Sequence, residues 1–293
     1  GNGHSIKGLK MNNKNNEGYK HAGLFCSLVN ATVENLVIDS SCSFTGYSAG
    51  ALSVSVGGSL TVKNTTNNAA VYGTQNVGSF IGFVQTMEQP TVVSFEDCVN
   101  NGNVSASHIY VGGFVGLISN NTNMTMTISN SMNNGNVTGG SNIVSGFVGS
   151  ISDNINMTMT IDHSQNNGIV NGSNGIGGFV GYIWNNVNMT MTISNSVNDG
   201  NVTGHFYTGG LIGFISSGSE SCATTTVTVN SANKGSVSST QGMACGFVCV
   251  SSIWAFNVKT TMKNSINKGS VNAGTYACGI TNNITEARNV VSM

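Results

Sequence analysis

The sequence predicts an all-β fold, a right-handed parallel β-helix of about eight coils of roughly 33 residues with three strands per coil. Three observations predict it. A polar motif recurs at steps of 32 to 35 residues, a glycine-aromatic motif keeps the same beat, and a third motif alternates apolar and polar residues with a period of two.

The polar motif reads Asn130-Ser131-Met132-Asn133-Asn134-Gly135-Asn136-Val137. It returns at His163–Val170 and Asn195–Val202, and in shorter form at Asn67–Val71, Asn100–Val104, Asn233–Val237 and Asn267–Val271. Asn67, Asn100, Asn133, Asn166, Asn198, Asn233 and Asn267 therefore share one position in successive coils. Asparagine tolerates left-handed backbone and bonds to neighbouring amides, so this column is expected at a turn, as a structural ladder between coils. At the next position, Asn101, Asn134 and Asn167 give way to Asp199, Lys234 and Lys268, and Asp199 and Lys234 are placed to pair.

The glycine-aromatic motif is Gly112-Gly113-Phe114-Val115-Gly116, repeated around Phe147, Phe179, Leu211, Phe247 and Ile280. With Phe80, these side chains are expected to stack as one apolar ladder. The alternating motif is Met124-Thr125-Met126-Thr127-Ile128, repeated at Met157–Ile161 and Met189–Ile193. Period two puts Met and Ile on one face and Thr on the other. A lone coil cannot bury that apolar face, whereas coils stacked about 4.8 Å apart make a continuous core. The glycine pairs and β-branched alternation do not suit helical repeats of similar length. The whole chain, 1–293, is expected to be a single repeat domain, with atypical first coils over 1–60 and regular ones over 61–293.

Composition narrows the function. Charged residues are 7% of the chain, against about 25% in a typical soluble protein. Net charge is −1 and no basic stripe exists, which argues against nucleic acid as a partner. No apolar run approaches the roughly 18 residues of a membrane span. A single proline, Pro90, and 39% hydrophobic residues fit an ordered chain. The opening Gly1-Asn2-Gly3-His4 is read as that of a mature form or a fragment.

Eleven Asn-x-Ser/Thr sequons occur, at Asn30, Asn64, Asn103, Asn120, Asn123, Asn136, Asn156, Asn171, Asn188, Asn201 and Asn283. They are candidate glycosylation sites and suggest an extracellular chain, although a sequence this rich in Asn, Ser and Thr yields sequons by composition alone. Seven cysteines leave at least one unpaired within the chain, and none forms Cys-x-x-Cys. Cys245 and Cys278 occupy equal positions in neighbouring coils, as a candidate disulfide or as stacked buried thiols. Cys26 and Cys42 are a weaker candidate pair.

The search for chemistry yields no catalytic, cofactor-binding or metal-binding residues. Some β-helices cleave polysaccharides, and glycoside hydrolysis needs two carboxylates about 5 to 9.5 Å apart. The nearest set is Glu96, Asp97 and Asp162 with His163 beside it; Asp97, Asn130 and His163 are expected as a column on one strand, most simply solvated. Tyr110, Tyr207 and Tyr276 fall at one corner and either contact a sugar or pack the corner. Thr125/Thr127, Thr158/Thr160 and Thr190/Thr192 form a two-column array with a remote likeness to ice-binding surfaces; Asn123, Asn156 and Asn188, expected on the same face, would crowd it if glycosylated.

The opening Gly1-Asn2-Gly3-His4-Ser5-Ile6-Lys7-Gly8-Leu9, with Ala22-Gly23-Leu24-Phe25-Cys26 and Ala31-Thr32-Val33-Glu34-Asn35-Leu36, resembles that of GLUG-repeat surface proteins. The repeat itself looks like Gly210-Leu211-Ile212-Gly213 and Gly113-Phe114-Val115-Gly116. The resemblance covers nearly the whole chain. It implies a large secreted or surface protein, adhesin-like, of a bacterium or parasitic protist, and transfers no catalytic residue; the cysteines depart from the bacterial pattern. The expectation is a non-enzymatic extracellular structural or adhesion module of a surface coat or fibre. Its partners would be glycans or other surface proteins, and further coils or chains could stack on its ends. A carbohydrate-active enzyme is the alternative and ice binding the remote one.

Overall fold

The computed structural model describes residues 4–13, 20–86, 90–140, 143–217, 224–250, 257–282 and 286–292. Among them there is no helix, and the strands form four parallel sheets of 15, 9, 8 and 8 members. Each strand pairs with its counterpart one coil away; the 15-stranded sheet unites two such columns, joined where the strand Met189–Asn198 runs through both. The chain is a β-solenoid of about eight turns, as the periodicity predicts.

One coil runs through Thr91–Glu96, Val99–Asn100, Val104–Ala106, Val111–Gly112 and Val115–Ser119. The three motifs thus resolve into five strand segments rather than three. The alternating motif is one straight strand. The polar motif bends between Asn100 and Val104, and the glycine-aromatic motif bends between Gly112 and Val115, so each contributes two. A motif bounded by turns reads as one strand in sequence, while the corner within it becomes visible only when the coil closes.

The alternating strand behaves as period two requires. Met124, Met126 and Ile128 are buried, Thr125 is exposed and Thr127 half-buried. The aromatic ladder is continuous: Phe80, Phe114, Phe147 and Phe179 are fully buried, with successive ring centroids 4.9, 4.6 and 5.0 Å apart. The Phe114–Phe147 planes are 14° apart. Each ring sits over its copy because the parallel register places like residue on like residue: Val111 pairs with Val144, and Val144 with Ile176. Full burial of such a side chain is worth about 1.5–3 kcal/mol relative to exposure.

The left-handed corner is not where the sequence reading puts it. Positive φ falls at Asn64, Asp97, Asn130, His163, Asn195 and Asn264, three residues before six of the seven ladder asparagines, Asn233 being the exception. The ladder asparagines lie in strands instead, Asn100 in Val99–Asn100 and Asn133 in Met132–Asn133. Asp97, Asn130 and His163 are accordingly a corner column rather than a strand column. Asn, Asp and His share a short polar side chain that tolerates αL backbone.

Candidate functional site

The most developed feature is a column of amides inside the solenoid. Asn67, Asn100, Asn133, Asn166, Asn198, Asn233 and Asn267 are all at 0–1% exposure. Each Nδ2 donates to the Oδ1 of the next, at 3.2 Å for Asn67→Asn100 and 2.7–2.8 Å for the five steps to Asn267. The second Nδ2 hydrogen goes to a backbone carbonyl two residues on, Gly135 for Asn133 and Gly168 for Asn166. Satisfied buried amides are stabilising as a network, whereas an unpaired one costs about 1–3 kcal/mol. The column ends where Ile38 takes its register position next to Asn67.

Glycine makes room for it. A Cβ on Gly113 would meet the Asn133 side chain, one on Gly178 the Asn198 side chain, and one on Gly246 that of Asn267. The glycine-aromatic and polar motifs are two halves of one contact, a coupling that neither motif announces alone.

Two further columns escaped sequence analysis. Asn121, Asn154 and Asn186 form a second buried amide ladder, linked by Nδ2→Oδ1 bonds of 2.9 Å each. Ser131, Ser164, Ser196, Ser231 and Ser265 form a hydroxyl ladder, each of the last four accepting from the backbone N–H one coil below. The signal was available in the recurrence of Asn121, Asn154 and Asn186 at 33 and 32 residues, but flanking asparagines masked which one repeats inward.

The sequons occupy the other side of the wall. Asn30, Asn64, Asn103, Asn120, Asn123, Asn136, Asn156, Asn171, Asn188 and Asn201 are all exposed; Asn283 lies outside the described residues. Asn123, Asn156 and Asn188 sit at positive-φ corners beside the threonine face rather than on it. Their side chains are joined by Nδ2→Oδ1 bonds of 2.9 and 3.1 Å.

The threonine array gains a coil. Thr190 pairs with Thr226 and Thr192 with Thr228, so two columns run through four strands in register.

The acidic candidates do not converge as a catalytic pair. Glu96 and Asp162 share a register column with Ser129 between them, two coil steps or about 9.6 Å apart. Glu96 is paired to Lys63 at 2.7 Å. Burial pushes the Asp162 carboxyl up, but hydrogen bonds from Ser194, His163 and Asn195 outweigh it and hold the group below the ordinary value. A glycosidase acid needs the opposite shift. Asp199 and Lys234 pair as expected, at 3.3 Å. Among the described residues, no three His, Cys, Asp or Glu side chains gather as metal ligands, and no helix is long and apolar enough to cross a membrane.

Cys245 and Cys278 are register partners in adjacent strands, and both carry free thiols. Burial pushes the Cys245 thiol well up, with Cys249 beside it; Cys278 is raised first by its hydrogen bond with Cys245 and then by burial. Protonated thiols are poor nucleophiles. Cys26 is exposed and Cys42 is buried with its thiol on the Ile6 carbonyl, and both are free.

The three corner tyrosines line two hollows. Tyr207 packs on Phe214 at 4.4 Å and shares one hollow with Tyr276, which is 66% exposed. Tyr110 instead lines a hollow of about 290 Å³ with Ile143, Asn174, Tyr182 and Trp184. Comparison with family models, curated proteins and solved structures finds no match to this chain.

Proposed function

We propose that this chain is a non-enzymatic structural module displayed outside the cell, a GLUG-like rod in a surface coat or fibre that presents glycans and meets other surface molecules. The observation that carries this reading is a sorting of asparagines. Asn67, Asn100, Asn121, Asn133, Asn154, Asn166, Asn186, Asn198, Asn233 and Asn267 are buried, and none begins a sequon. Every described sequon asparagine is exposed. The inner amides brace the rod from coil to coil without charge, and the outer ones face solvent, where a glycan could be attached.

Glycopeptide mapping of protein from its natural source tests the reading. Glycans are expected at exposed sequons, with alternate members of the Asn123–Asn156–Asn188 column occupied, because coils about 4.8 Å apart leave no width for sugars on adjacent ones. An unmodified chain recovered from inside the cell would refute it. So would cleavage of a polysaccharide by the purified chain, the outcome the enzyme alternative requires. The four-strand threonine array favours ice binding as a second reading, which freezing-point hysteresis in solution tests directly.

A further inference from the structure

We propose that the hollow framed by Tyr110, Tyr182 and Trp184 is a binding site for a neutral oligosaccharide. This deepens the surface-module reading and rests on it for its setting.

A small side chain lies beneath one wall of the hollow. On the outer face of one sheet, Phe83, Leu117, Ser150, Tyr182 and Phe214 follow one another in register. Ser150 is the small member between Leu117 and Tyr182, and Ser152 lies likewise beneath Trp184. Ser150 thus sits between an aliphatic side chain, Leu117, on one side and an aromatic one, Tyr182, on the other. Tyr182 is held from above by Phe214, stacked at 5.0 Å and 12°. It lies over Gly175, where a Cβ would meet its ring at 3.2 Å. The wall is therefore rigid, while Trp184 remains 40% exposed at its edge.

Two observations say what the hollow takes. Tyr110 is the one described residue with positive φ that is not Gly, Asn, Asp or His, at φ 60°. Backbone strain of this kind persists where a side chain must be aimed. Second, polar atoms near the hollow lack partners. The Asn174 Oδ1 and Ser150 Oγ are buried without hydrogen bonds, and Asn185, next to Trp184, has a bare Oδ1 as well. Unpaired acceptors beside aromatic faces match a pyranose, which offers hydroxyl donors on its edge and C–H groups on its face. None of the lining residues is charged. Asp153 lies close enough to help raise the Tyr110 hydroxyl, after burial, and Asn185 Nδ2 bonds to it at 2.8 Å. A carboxylate there repels uronates and sulfated sugars, which leaves neutral ones.

The test uses the full chain with Trp254→Phe, so that Trp184 is the single fluorophore of the two tryptophans. It is titrated with chito-, cello-, malto- and manno-oligosaccharides, and binding is repeated by calorimetry with Trp184→Ala and Ser150→Leu. The expected result is a saturable Trp184 emission change with at least one neutral series. Affinity should fall about tenfold or more in Trp184→Ala, and further in Ser150→Leu, where a larger side chain stands beneath that wall. Thr127→Ala, on another face, should bind normally and reports folding. No saturation with any series overturns the proposal, as does tighter binding of a sulfated sugar or a Pro-rich peptide, or unchanged affinity in both variants. Any of these leaves the rod reading standing. Binding followed by cleavage keeps the site and removes the non-enzymatic reading.

Discussion

Two asparagine columns run side by side through this solenoid, one facing its interior and the other its outside. Asn67 to Asn267 point inward and are the same residue in seven coils. Asn68, Asn101, Asn134 and Asn167 lie on the outside and make amide bonds of similar length, 2.7–2.8 Å, but each donor reaches back to the preceding coil rather than on to the next, and the column then becomes Asp199, Lys234 and Lys268. Water replaces a lost partner outside, but nothing replaces it inside. Amide bonds of similar length therefore carry very different energies, and the interior alone requires a fixed residue.

The sharpest way to break the inner column is from the glycine side. Gly146→Ala places a Cβ against the Gly178 carbonyl and the Asn166 amide, both fixed by the coil above. A loss of over about 3 kcal/mol is expected, seen as a collapse of soluble yield or melting temperature. Phe147→Ala should cost about 3–5 kcal/mol by denaturant unfolding, since the ring is stacked on both faces. Because repeat stability is nearly one-dimensional, unfolding should become biphasic as the two halves uncouple.

Asn133→Ala removes an acceptor from Asn100 and a donor from Asn166 and Gly135, for about 2–4 kcal/mol. Asn134→Ala, one residue away and exposed, should cost under about 1 kcal/mol. Equal costs would show that burial is not what separates the columns. Asn133→Asp sharpens the point with pH. A buried carboxyl has its folded value raised, so its contribution is fully present below the unfolded value near about 4 and is lost progressively as pH rises from there through the raised folded value. Melting temperature should fall across that range in Asn133→Asp and much less in Asn134→Asp. The smallest effect is at the outer pair: Asp199→Asn should change stability by under about 1 kcal/mol, and less in high salt.

Much of this was readable from residues. The 33-residue beat, the Phe114–Phe147–Phe179 stack and the Met-Thr alternation follow from periodicity, because a side chain repeated at one interval must meet its copies once strands pair in parallel. The left-handed corner was misplaced by three residues. The Asn130 and Asn133 positions both recur, the first admitting Asp97 and His163, and propensity gives both to the turn. Burial decides between them: the inner one bonds up and down the column, which requires extended strand.

Sequence by itself determined the solenoid, its apolar ladders and the restriction of charge to a few outer positions, since these depend on period and composition. Only the tertiary structure decided which asparagines face inward, that Gly146 packs against Asn166, and that Tyr110 and Tyr182 line one hollow. The physical reason is that these contacts join different motifs across coils, and a repeat reports what lies above itself but not what lies opposite.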